Sequence, residues 1–377
     1  AIGRAAQWDT TLDLSALSGV TLYEPEELVL SARAGTPLAE IDATVAAKNQ
    51  QLAFEPIDYG PLLGETRDGA PRGTIGGMLA SNLAGPRRIV AGAARDHFLG
   101  FSAVSGRGET FKSGGRVVKN VTGYDLSKLA AGSWGTLAVL TDVTIKVLPR
   151  PETEETVALF GLDDRKGVEA MIRAMGSMGE ISAAAHLPAY AASRTIAASL
   201  AGDRAITALR LEGVLPSILH RQHILEALLK PFGEVSVLAE GPSRSLWRAV
   251  RDVTPFAAAE TGAARPVWRV STAPTAGPAV AADIAVRAPA EVIYDWSGGL
   301  VWVLLGADLD DAGSSIVRAA VADHGGHATL IRAPAAIRAT VPVFPEHDAV
   351  TALLTRRIKQ NFDPKAVLNP GRMYAGV

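Results

Sequence analysis

Cysteine is absent from this 377-residue chain. Its absence excludes disulfides, thiolate metal sites and cysteine-ligated iron–sulfur clusters within the chain, and it fits a reducing compartment. Runs of Lys and Arg are also missing, and the formal net charge is −2. A polyanion needs a basic track to neutralise its phosphates, so no nucleic-acid partner is expected. No stretch approaches the roughly 20 apolar residues that a membrane helix requires. The best apolar run, 300–305, has the length of a strand. No leader is read at Ala1, where neither Met nor a charged-then-apolar segment stands. Three familiar signatures are missing as well: a G-x-G-x-x-G after a strand, a phosphate-binding G-x-x-x-x-G-K-[ST], and a G-x-S-x-G nucleophile elbow. Nicotinamide, ATP and serine-hydrolase chemistry lose their usual support with them.

What is present reads as α+β. About two domains fit this length, each able to bury a core. "LVLSARAG" (28–35) reads as a strand. A helix follows, with Thr36 as N-cap, Pro37 at its first position and Leu38, Ile41 and Val45 at helical spacing. "QLAF" (51–54) reads as another strand, and 61–73 as a Gly/Pro-rich loop. "FSAVSGRGETFKSGG" (101–115) alternates about Gly106-Arg107-Gly108, a hairpin signal. Composition shifts after Pro151 to Ala-rich helices and strands such as "GGLVWVLLGADL", a second α+β unit in which no repeat is read.

Three segments carry candidate chemistry. In "GTIGGMLASNLAG", Thr74 caps a helix whose first turn holds Gly76 and Gly77. Their N–H groups at the positive end of the dipole would suit an anion, and Ala80, Ser81 and Asn82 would admit a flat ligand. A tightly packed helix start explains the same residues equally well. In "AGSWGTLAVL", Gly132 and Gly135 bracket a turn that is either a ligand wall or a plain helix-to-strand connection. Between them, "GGRVVKNVTGYDL" sets Lys119, Asn120 and Tyr124 in a loop, where a cation would help a reduced flavin or a carboxylate. A solvated Lys is the ordinary alternative.

In order, these segments resemble the FAD-binding domain of the vanillyl-alcohol-oxidase (PCMH) type, in its branch of glycolate oxidases and D-2-hydroxy-acid dehydrogenases. "RDHFLG" (95–100), "VLPRP" and the tail "DPKAVLNPGRMY" extend the likeness. "LAGPRR" and "GRMYA" look most like that branch's FAD-binding subunits of glycolate oxidase complexes. The resemblance implies a PCMH-type FAD-binding domain over 1–151, with the family's first strand and pyrophosphate loop ahead of Ala1. An α+β cap of the FAD-linked oxidase C-terminal type would cover 152–335, and a segment returning to the flavin 336–377. It implies FAD contacts from Pro56, Asp58, Thr74, Ile75, Gly76, Gly77, Ser81, Asn82 and Lys119. Gly132, Ser133, Gly135, Thr136 and Val139 would form the other wall, with Asn369 coming back from the tail.

Two departures bear on chemistry. Ala138 stands where the family usually has Gly, and the paired His motifs that bind metal in catalytic relatives are missing. His324 and His327 alone make no complete zinc site, so no metal is expected. His220 and His223 read as a solvated helix face, and His97 as packed in its turn. His327 is the one candidate base. The implied task is oxidation of a small 2-hydroxy acid, glycolate foremost, to its 2-oxo acid. Electrons would pass to a sister FAD-linked catalytic subunit and an iron–sulfur subunit. The setting would be cytoplasmic, with peripheral association to the inner membrane through the complex. The rivals are a self-sufficient FAD-dependent D-2-hydroxy-acid dehydrogenase and a structural subunit that has lost its flavin.

Overall fold

A computed structural model describes residues 2–5, 8–64, 73–116 and 123–376. Lys119 and Asn120 lie outside the described residues.

Two antiparallel sheets organise the chain. The first contains β1 (Val20–Glu24), β2 (Val29–Arg33), β3 (Phe98–Ser105), β4 (Thr110–Gly114) and β5 (Ala138–Lys146) in the order β1-β2-β5-β3-β4. Helices α1 (Leu38–Ala46) and α2 (Ile75–Ser81) cover it, and Leu30, Ile41, Val45, Leu79, Leu140 and Ile145 share its core. The hairpin forms as the alternation predicts. Two local expectations fail. Thr36 does not cap α1: its buried hydroxyl donates to the Arg33 carbonyl at 2.7 Å and accepts from Gly19 N at 2.9 Å, and the helix begins at Leu38. Of "QLAF" only Gln51 is strand, in the two-residue strand Gln50–Gln51; Leu52, Ala53 and Phe54 are buried in the core.

The second sheet has eight strands: β6 (Thr153–Phe160), β7 (Ala183–Leu187), β8 (Ile206–Gly213), β9 (Val235–Leu238), β10 (Val267–Ser271), β11 (Ala290–Asp295), β12 (Leu300–Leu305) and β13 (His327–Arg332). Their order is β9-β6-β8-β7-β11-β12-β10-β13. The long helices fall after the first and third strand of each set of four, with two short four-residue helices after the second strand of the first set, so the sheet is two β-α-β-β-α-β units joined edge to edge. A repeat is therefore present in topology, although none is readable in residue identity.

Strand alternation gives this sheet two different faces. On β12, Val301, Val303 and Leu305 point to the helix side, while Leu300, Trp302 and Leu304 point to the other. That second face meets Ile57, Tyr59 and Leu62 from the first half of the chain. A charged lock holds this contact. Arg210 donates to Glu55 at 2.8 and 3.0 Å, and Arg87 pairs with Glu212 at 2.5 Å. The last helix, α3 (Ala349–Phe362), returns the tail to the first sheet, where Gly106 N donates to the Phe362 carbonyl at 2.9 Å.

Candidate functional site: a cleft along helix α2 and the turn at Trp134

A cleft of about 930 Å³ runs along the first sheet. Thr74, Gly76, Gly77 and Ser81 of α2 line it, with Gly135, Ala138 and Val139 beside them and Asn369 from the tail. Trp8 and residues 10–15 line it as well, and sequence reading had assigned them no role.

The two glycine-bearing segments meet directly. Gly132 N donates to Leu79 O at 3.3 Å, and Trp134 N donates to Ala80 O at 2.9 Å. They stand side by side as one continuous surface rather than as opposed walls.

The two helix glycines have different jobs. A Cβ on Gly76 would fall 2.7 Å from Ala34 Cβ, so this glycine allows α2 to pack on the strand end. A Cβ on Gly77 would meet only Thr74 Oγ1, at 3.3 Å, and Gly77 is exposed. The expected free anion donors are not free. Ile75 N donates to Thr36 O, Gly76 N to Ala34 O, and Gly77 N to the Thr74 cap at 3.2 Å. The backbone is bare here, but its N–H groups are already used.

Other expected residues take supporting positions. Ile75 is fully buried in the core. Asn82 ends α2 in the left-handed conformation, and its side chain accepts from Arg95 N at 2.9 Å. Gly132, Ser133 and Thr136 shape the turn without lining the cleft: Gly132 has φ +81°, and the Thr136 hydroxyl donates to Ser133 O at 2.7 Å. Pro56 and Asp58 lie off the cleft, in the loop that presents Tyr59 to the second sheet.

His327 opens β13 opposite Ser271, on the sheet face that looks toward the cleft side, and is not part of the cleft lining. Burial, then Arg269 and Arg88, hold its imidazole below the ordinary histidine range, so it is neutral at physiological pH. His97 is buried against Phe54 with both ring nitrogens on carbonyls, as its turn position suggested. His324 lies 3.8 Å from Asp283 instead of sharing a ligand with His327. Among the described residues no group of three metal-binding side chains occurs, and no helix is long and apolar enough to cross a membrane.

The cleft fits the FAD expected from the sequence. It runs past bare backbone at Gly77 and Gly135, lies at the upper end of the ~300–1,000 Å³ range of ligand sites, and has a mixed apolar and polar lining.

Comparison with known proteins agrees. Residues 2–114 match the family model described as an FAD binding domain. The chain is 34% identical over 368 residues to glycolate oxidase subunit GlcE of Escherichia coli K12, covering 97% of this chain and 87% of that one. It is 35% identical over 149 residues to D-lactate dehydrogenase of Archaeoglobus fulgidus, covering 38% of this chain and 33% of that enzyme. In fold it is similar to p-cresol methylhydroxylase with substrate bound, at TM-score 0.70 and 13% identity, over 96% of this chain and 79% of that one. The chain therefore belongs to the family of FAD-linked oxidoreductases that includes glycolate oxidase subunit GlcE, and its cofactor is FAD.

Proposed function

We propose that this chain is the FAD-binding subunit of a glycolate-oxidising complex, converting glycolate to glyoxylate and passing electrons to partner subunits. The observation that carries this reading is the whole-length similarity to a glycolate oxidase subunit, combined with an open cleft along Gly77 and Gly135. With no cysteine, the chain has no thiolates for an iron–sulfur cluster, so that cofactor belongs to another subunit. A sister FAD-linked subunit and an iron–sulfur subunit are the partners.

FAD, when bound, supplies the acceptor for the hydride leaving the substrate α-carbon. The cleft residues would hold and orient it: Gly77 and Gly135 would allow close approach, and Asn369 ties the tail to the turn. Thr74 and Ser81 add hydroxyls along the same surface. Lys119, the cation that the resemblance implies beside the reduced flavin, lies outside the described residues. His327, neutral for the reason given above, is the group to accept the substrate hydroxyl proton.

The test is anaerobic mixing of the FAD-loaded chain with glycolate, alone and with its partner subunits. Bleaching of the flavin by glycolate, followed by reoxidation only when partners are present, supports the reading. No bleaching under either condition rules it out. The similarity to D-lactate dehydrogenase favours one alternative, a self-sufficient D-2-hydroxy-acid dehydrogenase. Steady turnover of D-lactate by the chain alone with an artificial acceptor would select that alternative.

A further inference from the structure

A surface helix ordinarily buries its apolar side and shows its polar one. Helix α3 does the reverse. Val350, Leu353 and Leu354 stand at i, i+3 and i+4 on its outer side and are 68%, 48% and 52% exposed. Arg357 continues the same stripe and is exposed as well. The inner side carries Thr351, Thr355 and Lys359, and Lys359 is the buried residue of the helix. Its ammonium exchanges water for the carbonyls of Thr136 and Leu368 and for the Asp363 carboxylate. Among the described residues, none of the three aliphatic side chains joins a hydrophobic cluster of the chain. Burying a cation while leaving such a stripe in water is unfavourable on both counts unless something covers the stripe.

The place of the stripe narrows what covers it. Beyond its last turn the chain runs into Val367, Leu368 and Asn369, which line the cofactor cleft. Ahead of its first turn, His347 packs on Tyr374 at 4.6 Å and Tyr374 on Phe344 at 6.3 Å. Phe344 in turn packs at 5.4 Å on Trp134, another cleft residue. Both ends of the helix are thus tied to the cleft.

Charge narrows it further. Arg356 and Arg357 stand toward the end of the helix, and Lys365 follows in the next turn. Arg107 adds a fourth cation at the hairpin tip, beside Gly106, whose N–H docks on Phe362. All four are exposed, and none makes an ion pair among the described residues. The carboxylates at the other end are already engaged. Asp348 caps the helix, accepting from Val350 N and Thr351 N, and Glu346 faces Arg318. A second copy laid antiparallel on the stripe would offer these cations only occupied carboxylates, and a parallel one would set like charges together. A bilayer is a poor match too, because interfacial helices turn Trp or Phe outward with their aliphatic residues. The one aromatic residue of α3, Phe362, packs on Phe111 at 5.8 Å instead.

We propose that the outer side of α3, formed by Val350, Leu353 and Leu354 with the arginines at its end, is the docking surface for a partner subunit that presents an apolar patch edged by carboxylates. An apolar centre with a charged rim of one sign gives such a contact both its affinity and its choice of partner. The inference rests on the proposed complex and deepens it by naming where the partner sits, beside the tail that lines the cleft.

The test is sedimentation of the FAD-loaded chain mixed with the sister FAD-linked subunit and the iron–sulfur subunit. The wild type should sediment together with a partner. Leu353→Asp and Leu354→Asp should each weaken assembly by about tenfold or more, and Arg357→Glu should weaken it more at low salt than at high salt. All three side chains are exposed, so melting temperature and FAD content should stay as in the wild type. Failure of the wild type to bind either subunit overturns the surface. Equal assembly by the two leucine variants overturns it as well and leaves the glycolate reading standing. Self-association of the chain alone that these variants abolish assigns the stripe to a second copy, and binding to phosphatidylglycerol vesicles that they abolish assigns it to a membrane; either result overturns the proposal. Assembly lost in the variants, without glycolate-driven bleaching in the wild type, upholds the surface and overturns only the glycolate reading.

Discussion

Asn369 reaches back across more than 230 residues to cap the turn at Trp134: its Nδ2 donates to the Trp134 carbonyl at 3.1 Å and to the Gly135 carbonyl at 3.2 Å. Gly135 is required for this. At φ +72°, a Cβ there would fall 2.7 Å from Asn369 Nδ2. Lys359 supports the same closure from below. Its buried ammonium donates to Thr136 O and Leu368 O, each at 2.8 Å, and to Asp363 at 2.6 Å.

The tail should therefore be a part of the cofactor cleft that can be loosened separately from the core. Asn369→Ala removes hydrogen bonds without burying anything new, so a stability loss of about 1 kcal/mol and a clear loss of FAD affinity are expected. Lys359→Met leaves Asp363 buried and unpaired and should cost about 3–5 kcal/mol. Thermal melts beside flavin retention measure both. Unchanged FAD affinity in Asn369→Ala would remove the tail from the site.

The contrast between Gly76 and Gly77 gives a paired prediction. Gly76→Val should fail to fold well, because its side chain collides with Ala34. Gly77→Val should keep a near wild-type melting temperature yet lose bound FAD, since its side chain enters the cleft. Equal loss of stability in both would mean that Gly77 serves only packing.

Acid should unlock the two halves. Burial alone would raise the Glu55 pKa, but Arg210 and then Arg87 override it and bring it from 4.5 to about 2. A carboxylate whose folded pKa is depressed stabilises the fold fully above its unfolded pKa, and that contribution disappears as pH falls toward the folded value. Stability on the order of 3 kcal/mol should thus be lost between about pH 4.5 and pH 2. Glu55→Gln should melt lower at neutral pH and show a flatter profile across that window in calorimetry. A wild-type melting temperature that does not change over this range would count against the lock.

For His327 the expected signature is a pH profile. Because its pKa is depressed, the neutral imidazole persists below the ordinary histidine value of 6.5. Glycolate-driven flavin reduction should hold steady through pH 6.5 and fall only at lower pH. His327→Gln should slow reduction by about 10²-fold or more with FAD affinity unchanged. A wild-type rate in that variant would remove His327 from the chemistry.

The helix start and the hairpin were readable because each rests on local rules: Thr74 caps and glycines turn; the return of the tail came from the family resemblance alone. The occupancy of the α2 N–H groups was not readable, since their acceptors, Thr36 and Ala34, sit some 40 residues away on a strand end. The doubled β-α-β-β-α-β topology left no trace in residue identity because such units need only a pattern of apolar positions, not particular side chains.

The most direct measurement is a titration of the purified chain with FAD, followed by the visible absorbance and fluorescence of the flavin. One FAD should bind per chain, with flavin fluorescence altered on entering the cleft. A chain that folds, melts cooperatively and leaves FAD free in solution would contradict the account at its centre.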